Sequence, residues 1–172
     1  MNSKFPSDVK LSIGLPVFNG EKFLQKCLDS LLEQTFENFE IIISDNASTD
    51  NTQNICQKYS EKDKRIRYIR QEKNIGLLPN FNFVLEQSNN KFFMWIGVDD
   101  YILPDYVKKN IDVLISNSNV VGSVSQIKPY NFSDSDVDQI DSKFIDFTKK
   151  LRTRFKKLDA FSISGNYDQK VR

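Results

Sequence analysis

The chain has 172 residues, of which 39% are hydrophobic and 27% charged, and its formal net charge at pH 7 is +1. A chain of this length and composition fits one folded domain, which excludes both wholesale disorder and a membrane-embedded bundle. The nearly neutral charge argues against nucleic-acid binding through a general positive field, so we expect no nucleic-acid partner.

Hydrophobic periodicity predicts strands that alternate with helices. The expected strands cover residues 10–17, 39–44, 66–70, 91–98 and 120–127, and the expected helices cover residues 21–34, 50–60, 79–87 and 106–116. The isoleucines Ile41, Ile42 and Ile43 are typical of a strand covered on both faces, as parallel strands are. The alternation predicts an α/β, Rossmann-like fold, with a mostly parallel central sheet and helices on both faces.

Further expectations concern single segments of this fold. Residues 91–98 form the most apolar segment of the chain and are expected to be a central strand. Ser48 or Thr49 is expected to cap the second helix through its hydroxyl group. Gly14 and Gly20 are expected to serve turns.

The organisation of the chain changes after residue 130. We assign residues 1–130 to the α/β domain and residues 131–172 to an acidic loop and a basic amphipathic helix. The basic segment, residues 143–158, carries seven Lys or Arg and one Asp, with aromatic and aliphatic residues at helical spacing. It fits a solvated helix packed through its aromatic stripe, and it also fits a surface that meets anionic lipid or a phosphate-bearing glycan.

The sequence contains no signal-peptide pattern and no apolar run of the roughly 18 residues that a transmembrane helix needs. We therefore expect a cytoplasmic protein, with the basic segment 143–158 as its candidate contact to the inner face of the membrane. The sequence does not indicate an oligomeric state.

The absence of histidine limits the chemistry that this chain can perform. It excludes a Ser-His-Asp triad, a Cys-His pair and a His-ligated zinc site. Cys27 and Cys56 lack the CxxC spacing and fall on the apolar faces of predicted helices, so both are expected in the core. A reaction must therefore use carboxylates, hydroxyls, amines or a metal ion bound through oxygen.

Three of the predicted strands end at residues suited to ligand binding: Pro16–Asn19, Asp45 and Asn46, and Asp99 and Asp100. Together these ends supply an aromatic ring, an amide and three carboxylates. In an open parallel sheet, ligands bind beyond the carboxyl ends of the strands. Adjacent carboxylates after a buried strand resist desolvation unless a cation or solvent compensates their charge, and Mg or Mn prefers such oxygen ligands. Asp99 and Asp100 are therefore candidate metal ligands. The same pair also fits a solvated turn that caps the following helix, and Asp45 also fits a plain loop acid.

Four segments, in this order, resemble the family 2 glycosyltransferases with the GT-A fold. They are PVFNGEKFLQKCLDSLLEQTF at residues 16–36, FEIIISDNASTDNT at 39–52, NIG at 74–76 and WIGVDDYILP at 95–104. The resemblance implies an inverting, hexosyltransferase-like glycosyltransferase that moves a sugar from a nucleoside diphosphate sugar, with a UDP-sugar expected, to an acceptor hydroxyl. The implied acceptor is a glycan or a lipid-linked molecule in surface polysaccharide or glycolipid assembly.

The resemblance also implies a set of nucleotide-binding residues. These are Pro16, Val17, Phe18, Asn19, Glu21, Asp45, Asn74, Gly76, Asp99 and Asp100. In family members, the segment matching residues 16–19 and the acid matching Asp45 cradle the nucleobase, on which Phe18 would stack. Asp99 and Asp100 would hold Mg or Mn beside the diphosphate, with Asp99 in direct contact.

Three positions depart from the family pattern. Gly97 stands where many members have an acid two residues before the metal-binding Asp, and Asn46 stands where many have a second acid. The Arg that often follows the NxG loop is absent, with Pro79 and Asn80 nearby instead.

No catalytic base is assigned, because in this family it is an Asp or Glu well beyond the acid pair, and we expect it beyond residue 172. The simplest hypothesis is that the chain is truncated. Residues 131–172 would then be the beginning of its acceptor-binding part. A non-catalytic nucleotide-sugar-binding module is therefore an alternative. A nucleotidyltransferase is a more distant one, since residues 19–21 lack the Gly-rich or Arg/Lys-bearing loop that grips phosphate.

Overall fold

The computed structural model describes residues 9–123. Strands and helices alternate in this part of the chain: β1 (Leu11–Val17), α1 (Leu24–Leu32), β2 (Phe39–Asp45), α2 (Thr52–Lys62), β3 (Ile66–Arg70), α3 (Leu77–Glu86), β4 (Phe92–Trp95) and α4 (Tyr106–Ser116). The chain divides into two units, Met1–Val107 and Lys108–Arg172, and the whole sheet belongs to the first. The predicted boundary at residue 130, the acidic loop and the basic segment 143–158 lie outside the described residues.

The four strands form one parallel sheet with the order β3-β2-β1-β4. β1 pairs with β2 from Leu11↔Phe39 to Val17↔Asp45, and on its other side it pairs with β4. The pairing of β2 with β3 continues the same edge, with Asp45 opposite Arg70. The predicted α/β fold with a parallel central sheet is therefore confirmed.

The core lies around β1 and β2. All seven residues of β1 are buried, as are all residues of β2 except the half-buried Glu40. Both faces of these strands are therefore covered, as the isoleucine run predicts. Helix α1 contributes Leu24, Cys27, Leu28 and Leu31, whose spacing gives one apolar face. Each fully buried leucine stabilises the fold by about 1.5–3 kcal/mol relative to an exposed one.

Within residues 9–123, no helix combines the length and the apolarity needed to cross a membrane.

Strand β4 differs from its prediction in length and position. It has four residues, each half-buried, and in the described part of the chain β1 is its one neighbour. The prediction of a central strand over residues 91–98 is therefore wrong for the described sheet. Its apolar side chains pack locally instead: the Trp95 indole donates a hydrogen bond to the Phe81 carbonyl at 3.0 Å, and Phe93 packs edge-on against the same ring.

The fifth predicted strand, residues 120–127, is not supported where it can be seen. Residues 120–123 do not form a strand, and residues 124–127 lie outside the described range. Val120 closes a turn with Asn117, to whose carbonyl its N–H donates at 3.0 Å. The apolar residues near this position therefore do not indicate a strand by themselves.

Gly14 allows α3 and β4 to approach β1 closely. A Cβ atom at this position would lie 2.6 Å from Phe93 Cζ and 2.7 Å from Val84 Cγ2. Gly14 lies inside β1, so its prediction as a turn residue is wrong. Gly20 does lie in the turn before α1, where its carbonyl accepts hydrogen bonds from the N–H groups of Phe23 and Leu24.

We predict that Gly14→Ala destabilises the fold by about 1–3 kcal/mol, because the added methyl group overlaps Phe93 and Val84. Urea unfolding of the full chain, followed by circular dichroism, measures this loss. Val84→Ala removes one of the two overlapping groups, so the double variant should be more stable than the two single losses indicate. Strictly additive losses would contradict this explanation.

Candidate functional site

The strand order creates a crevice between β1 and β4. From β1 the chain proceeds to β2 and β3 on one side, whereas β4 pairs on the other side. In open parallel sheets, ligands bind beyond the carboxyl ends of the strands at such a reversal. The loops at this edge are residues 18–23, 46–51, 71–76 and 96–105. These loops, together with the last residues of β1 and β2, contain every residue of the predicted nucleotide-binding set.

The loops after β1 and β2 are joined by hydrogen bonds. The Asn19 N–H donates to Ser48 Oγ at 2.9 Å, and Asn19 Oδ1 accepts from the Thr49 N–H at 2.8 Å. Helix α2 begins after Asn51 without a side-chain cap, so the prediction that Ser48 or Thr49 caps it is wrong. Their polar groups instead hold Asn19, whose φ of 51° is in the left-handed region that asparagine tolerates.

Glu21 and Asp50 make a second, reciprocal connection between these loops. The Glu21 N–H donates to Asp50 Oδ2 at 3.0 Å, and Glu21 Oε2 accepts from the Asn51 N–H at 2.8 Å. Desolvation opposes ionisation of Asp50, but hydrogen bonds from the Thr52 side chain and the Glu21 N–H lower its pKa. Glu21 thus has a structural role here, and its contact with a nucleotide stays a prediction.

Asp45, the last residue of β2, is fully buried. Its Oδ1 accepts a hydrogen bond from the Ser48 N–H at 2.8 Å, and its Oδ2 accepts from the Tyr68 hydroxyl at 2.9 Å and from the Arg70 guanidinium. Burial, and then the hydrogen bond to Asp45, raise the pKa of Tyr68, which keeps this hydroxyl protonated as a donor. The buried carboxylate therefore holds the turn after β2 and the end of β3 together. Its contact with a nucleobase stays a prediction.

Asn46 holds the NIG loop against β2. Its Oδ1 accepts a hydrogen bond from the Ile75 N–H at 2.8 Å, and its Nδ2 donates to Asn74 Oδ1 at 2.9 Å and to the Gly76 carbonyl at 3.2 Å. Gly76 has a φ of 93°, which favours glycine, and directly precedes α3. A carboxylate at position 46 could not donate to either acceptor, which explains why an amide suits this chain.

Asn80, in the first turns of α3, is a site residue that the sequence analysis did not identify. It is buried and exchanges two hydrogen bonds with Ser44: Ser44 Oγ donates to Asn80 Oδ1 at 2.6 Å, and Asn80 Nδ2 donates to the Ser44 carbonyl at 3.0 Å. Asn80 is four residues before the buried Val84 and so lies on the same helix face. That spacing was the available signal.

A cleft of about 120 Å³ opens at the same edge. It is lined by Pro16, Val17, Phe18, Asn46, Asn74, Leu77 and Asn80. The lining combines three amide side chains with apolar groups and includes no charged residue. Phe18 is 47% exposed, so it is accessible from solvent.

The carboxylates of Asp99 and Asp100 converge above Gly97. A Cβ atom on Gly97 would lie 3.0 Å from Asp99 Oδ1 and 2.9 Å from Asp100 Oδ2, so these two oxygens are at most 5.9 Å apart. Desolvation, and then the charge of Asp99, raise the pKa of Asp100. The pair lies in a turn well before α4 begins at Tyr106, so the helix-capping alternative does not fit.

Gly97 and Val98, just before the acid pair, pack against α1 and against the loop after β1. A Cβ atom on Gly20 would lie 2.7 Å from a methyl carbon of Val98, and the Cys27 thiol donates to the Gly97 carbonyl at 3.6 Å. Burial, and then the charges of Asp100 and Asp99, raise the pKa of Cys27 to about 12. Cys27 is therefore a neutral core thiol beneath the acids, and both cysteines are free and buried, as predicted.

A larger groove of about 580 Å³ runs along α1 beside residues 101–104. Of the predicted nucleotide-binding set, it includes Glu21 alone. Its walls carry acids and lysines together, and the ammonium group of Lys26 lies 3.8 Å from the Tyr101 ring centre. The larger opening is thus separate from the cleft that the predicted residues line.

Comparison with known proteins gives related sequences over most of the chain. Glycosyltransferase GlyA of Streptococcus pneumoniae serotype 4 is 42% identical over 59% of this chain and 14% of its own length. An uncharacterized glycosyltransferase of Haemophilus influenzae is 30% identical over 91% of this chain and 58% of its own length. The chain therefore spans less than two thirds of the length of these curated relatives.

Solved structures share the fold. S. aureus TarS 1–349 in complex with UDP-GlcNAc matches with a TM-score of 0.66 and 29% identity, over 72% of this chain and 36% of that one. Mannosyltransferase PcManGT from Pyrobaculum calidifontis matches with a TM-score of 0.64 and 18% identity, over 74% and 41%, which supports the fold alone.

The family model for glycosyl transferase family 2 matches residues 12–167, which is most of the chain. The fold of this chain is that of the GT-A glycosyltransferases, to which its structural neighbours belong. This chain belongs to glycosyl transferase family 2.

Proposed function

We propose that this chain binds the nucleoside diphosphate sugar, a UDP-sugar, of an inverting glycosyltransferase that transfers the sugar to an acceptor hydroxyl. One observation supports this most. An uncharged, amide-lined cleft and the converging pair Asp99 and Asp100 lie at the same edge of the sheet, where the strand order reverses between β1 and β4. The first suits a nucleobase, and the second suits a metal-bound diphosphate.

The cleft supports the base assignment through its chemistry. The amide nitrogen of the exposed Asn74 can donate to a carbonyl group of a pyrimidine ring, whereas the buried amides of Asn46 and Asn80 are paired with the NIG loop and Ser44 and give the cleft its shape. The exposed Phe18 provides a surface on which such a ring can stack. The 29% identity to TarS, whose structure contains UDP-GlcNAc, supports uridine as the nucleoside.

The acid pair fits a divalent metal ion. Residues 9–123 contain no cluster of three or more potential ligands, but Asp99 and Asp100 supply two carboxylate oxygens that converge over Gly97. Mg and Mn retain positions for water and phosphate oxygens, so two carboxylates are enough. When bound, the ion would offset the charge that develops on the departing diphosphate. The other residues of the predicted nucleotide-binding set would bind and orient the donor.

We extend the proposal to a glycan or lipid-linked acceptor in surface polysaccharide or glycolipid assembly, at the inner face of the membrane or in the cytoplasm. This part depends on the family resemblance. A general base needs hydrogen-bond reach to the acceptor hydroxyl, and we assign none among residues 9–123.

We predict that UDP binds more tightly with Mn²⁺ than without it, and that Asp99→Asn and Asp100→Asn each remove this gain. The expected loss of metal-dependent affinity is at least about tenfold, since removing even an outer-shell partner of a metal site costs this much. Calorimetric titration of the full chain with UDP, with and without Mn²⁺, measures it.

Glu37→Gln is the matched control, because Glu37 is an exposed acid in the loop before β2, at the opposite edge of the sheet. It should leave the effect of Mn²⁺ unchanged. An unaltered Mn²⁺ effect in the Asp99 and Asp100 variants would contradict the metal assignment. Release of sugar from UDP-GlcNAc by the wild-type chain distinguishes a working enzyme from a module that only binds.

We predict that Asn46→Asp weakens UDP binding to a similar extent with and without Mn²⁺. The change replaces two donated hydrogen bonds to the NIG loop by oxygen–oxygen repulsion, so a roughly tenfold loss is expected. Titration with UDP measures the loss. Asn54→Asp makes the same change of charge at an exposed position of α2 and should have no effect. Equal losses in both variants would assign the effect to net charge instead.

A further inference from the structure

Arg70 is the last residue of β3, and its side chain reaches across to the turn after β2. One guanidinium nitrogen, Nη1, pairs with Asp45 Oδ2, and the other, Nη2, donates to the Ser48 carbonyl at 2.9 Å. The Arg70 side chain is 33% exposed, whereas that of Asp45 is fully buried. The guanidinium therefore lies at the boundary between the buried acid and solvent.

The turn that Arg70 holds has a strained, well-defined shape. Asp45 Oδ1 accepts a hydrogen bond from the Ser48 N–H at 2.8 Å, so Ser48 is held through both its N–H and its carbonyl. Ala47, inside this turn, has a φ of 61°, which is unfavourable for a residue with a Cβ atom. Such a backbone persists only where the surrounding contacts determine it.

This turn after β2 also determines one wall of the cleft. Ser48 Oγ accepts the Asn19 N–H at 2.9 Å, and the Asn46 N–H donates to the Val17 carbonyl at 2.8 Å. Phe18 lies between these two attachment points and lines the cleft. A continuous series of contacts therefore connects Arg70 with Phe18, although Arg70 itself does not line the cleft.

Removing the guanidinium would leave Asp45 with the Ser48 N–H and the Tyr68 hydroxyl as its remaining partners. A buried carboxylate that loses its counter-charge is strongly disfavoured, so the turn would rearrange to reach solvent. Lysine could replace the charge but not the second donor in its planar arrangement, since only arginine binds a carboxylate and a carbonyl with two separate nitrogens.

We propose, on the basis of the proposed function, that Arg70 is a positioning residue for the nucleobase: it holds Asp45 and Ser48 so that Phe18 has the orientation on which the base stacks. It acts through the turn and makes no contact with the diphosphate. Its effect should therefore be the same for a ligand with phosphates and for one without.

The test measures the affinities of the full chain for UDP and for uridine, with Arg70→Gln and Arg70→Lys. We expect Arg70→Gln to weaken the binding of both ligands by about the same factor, roughly tenfold. We expect Arg70→Lys to recover part of this loss of affinity. Arg67→Gln is the matched control: Arg67 lies on the same strand, and its guanidinium contacts Gln87. It should leave both affinities unchanged.

Three outcomes would overturn the inference: an affinity of Arg70→Gln equal to that of Arg67→Gln, a loss confined to UDP, or no recovery with lysine. If Arg70→Gln does not fold, Arg70→Lys and Asp45→Asn are measured singly and combined, and the double variant should bind better than the sum of the two single losses indicates. Additive losses would again overturn it. Failure of the wild-type chain to bind either ligand would instead reject the proposed function.

Discussion

The parallel pairing of β1 with β2 on one side and with β4 on the other is the constraint on which the rest of the structure depends. It brings the carboxyl ends of three strands to one edge and places the reversal of strand order between β1 and β4. Gly14 permits this pairing, because α3 and β4 both approach β1 at that residue. The positions of the cleft and of the acid pair follow from this arrangement.

At this edge, neutral and charged groups are separated. The cleft carries amides and apolar groups, whereas Asp99 and Asp100 bring their charges together above Gly97. Hydrogen bonds between the loops maintain this separation, and among residues 9–123 no buried side-chain nitrogen or oxygen lacks a partner. A fully satisfied polar network of this kind gives a unique arrangement, which a site needs before its ligand arrives.

Local patterns predicted most of the fold. The apolar face of α1 and the run Ile41, Ile42 and Ile43 identified their elements, because burial on one or both faces is written in sequence spacing. The same reasoning predicted β4 as a central strand, whereas within residues 9–123 β4 has β1 as its one neighbour and Trp95 packs against α3. Periodicity reports burial, but it does not report which strands are neighbours.

The candidate site was predicted in location and only partly in detail. The resemblance predicts Phe18, Asn74 and the acid pair as site residues, whereas Asn80 and Arg70 emerge from contacts in the structure with residues more than twenty positions away. Such pairings depend on tertiary structure; for Asn80, the spacing to Val84 indicates the buried helix face but not the hydrogen-bond partner. A Cβ atom at Gly97 would lie against the ends of the two carboxylate side chains, which would have to shift to make room for it.

The most direct test of the central claim is a nuclear magnetic resonance titration of the isotope-labelled chain with UDP, following the side-chain amides. The cleft assignment predicts that the resonances of Asn46, Asn74 and Asn80 shift, while that of Gln25, in the larger groove along α1, does not. A shift of Gln25 with the three asparagines unchanged would contradict the assignment.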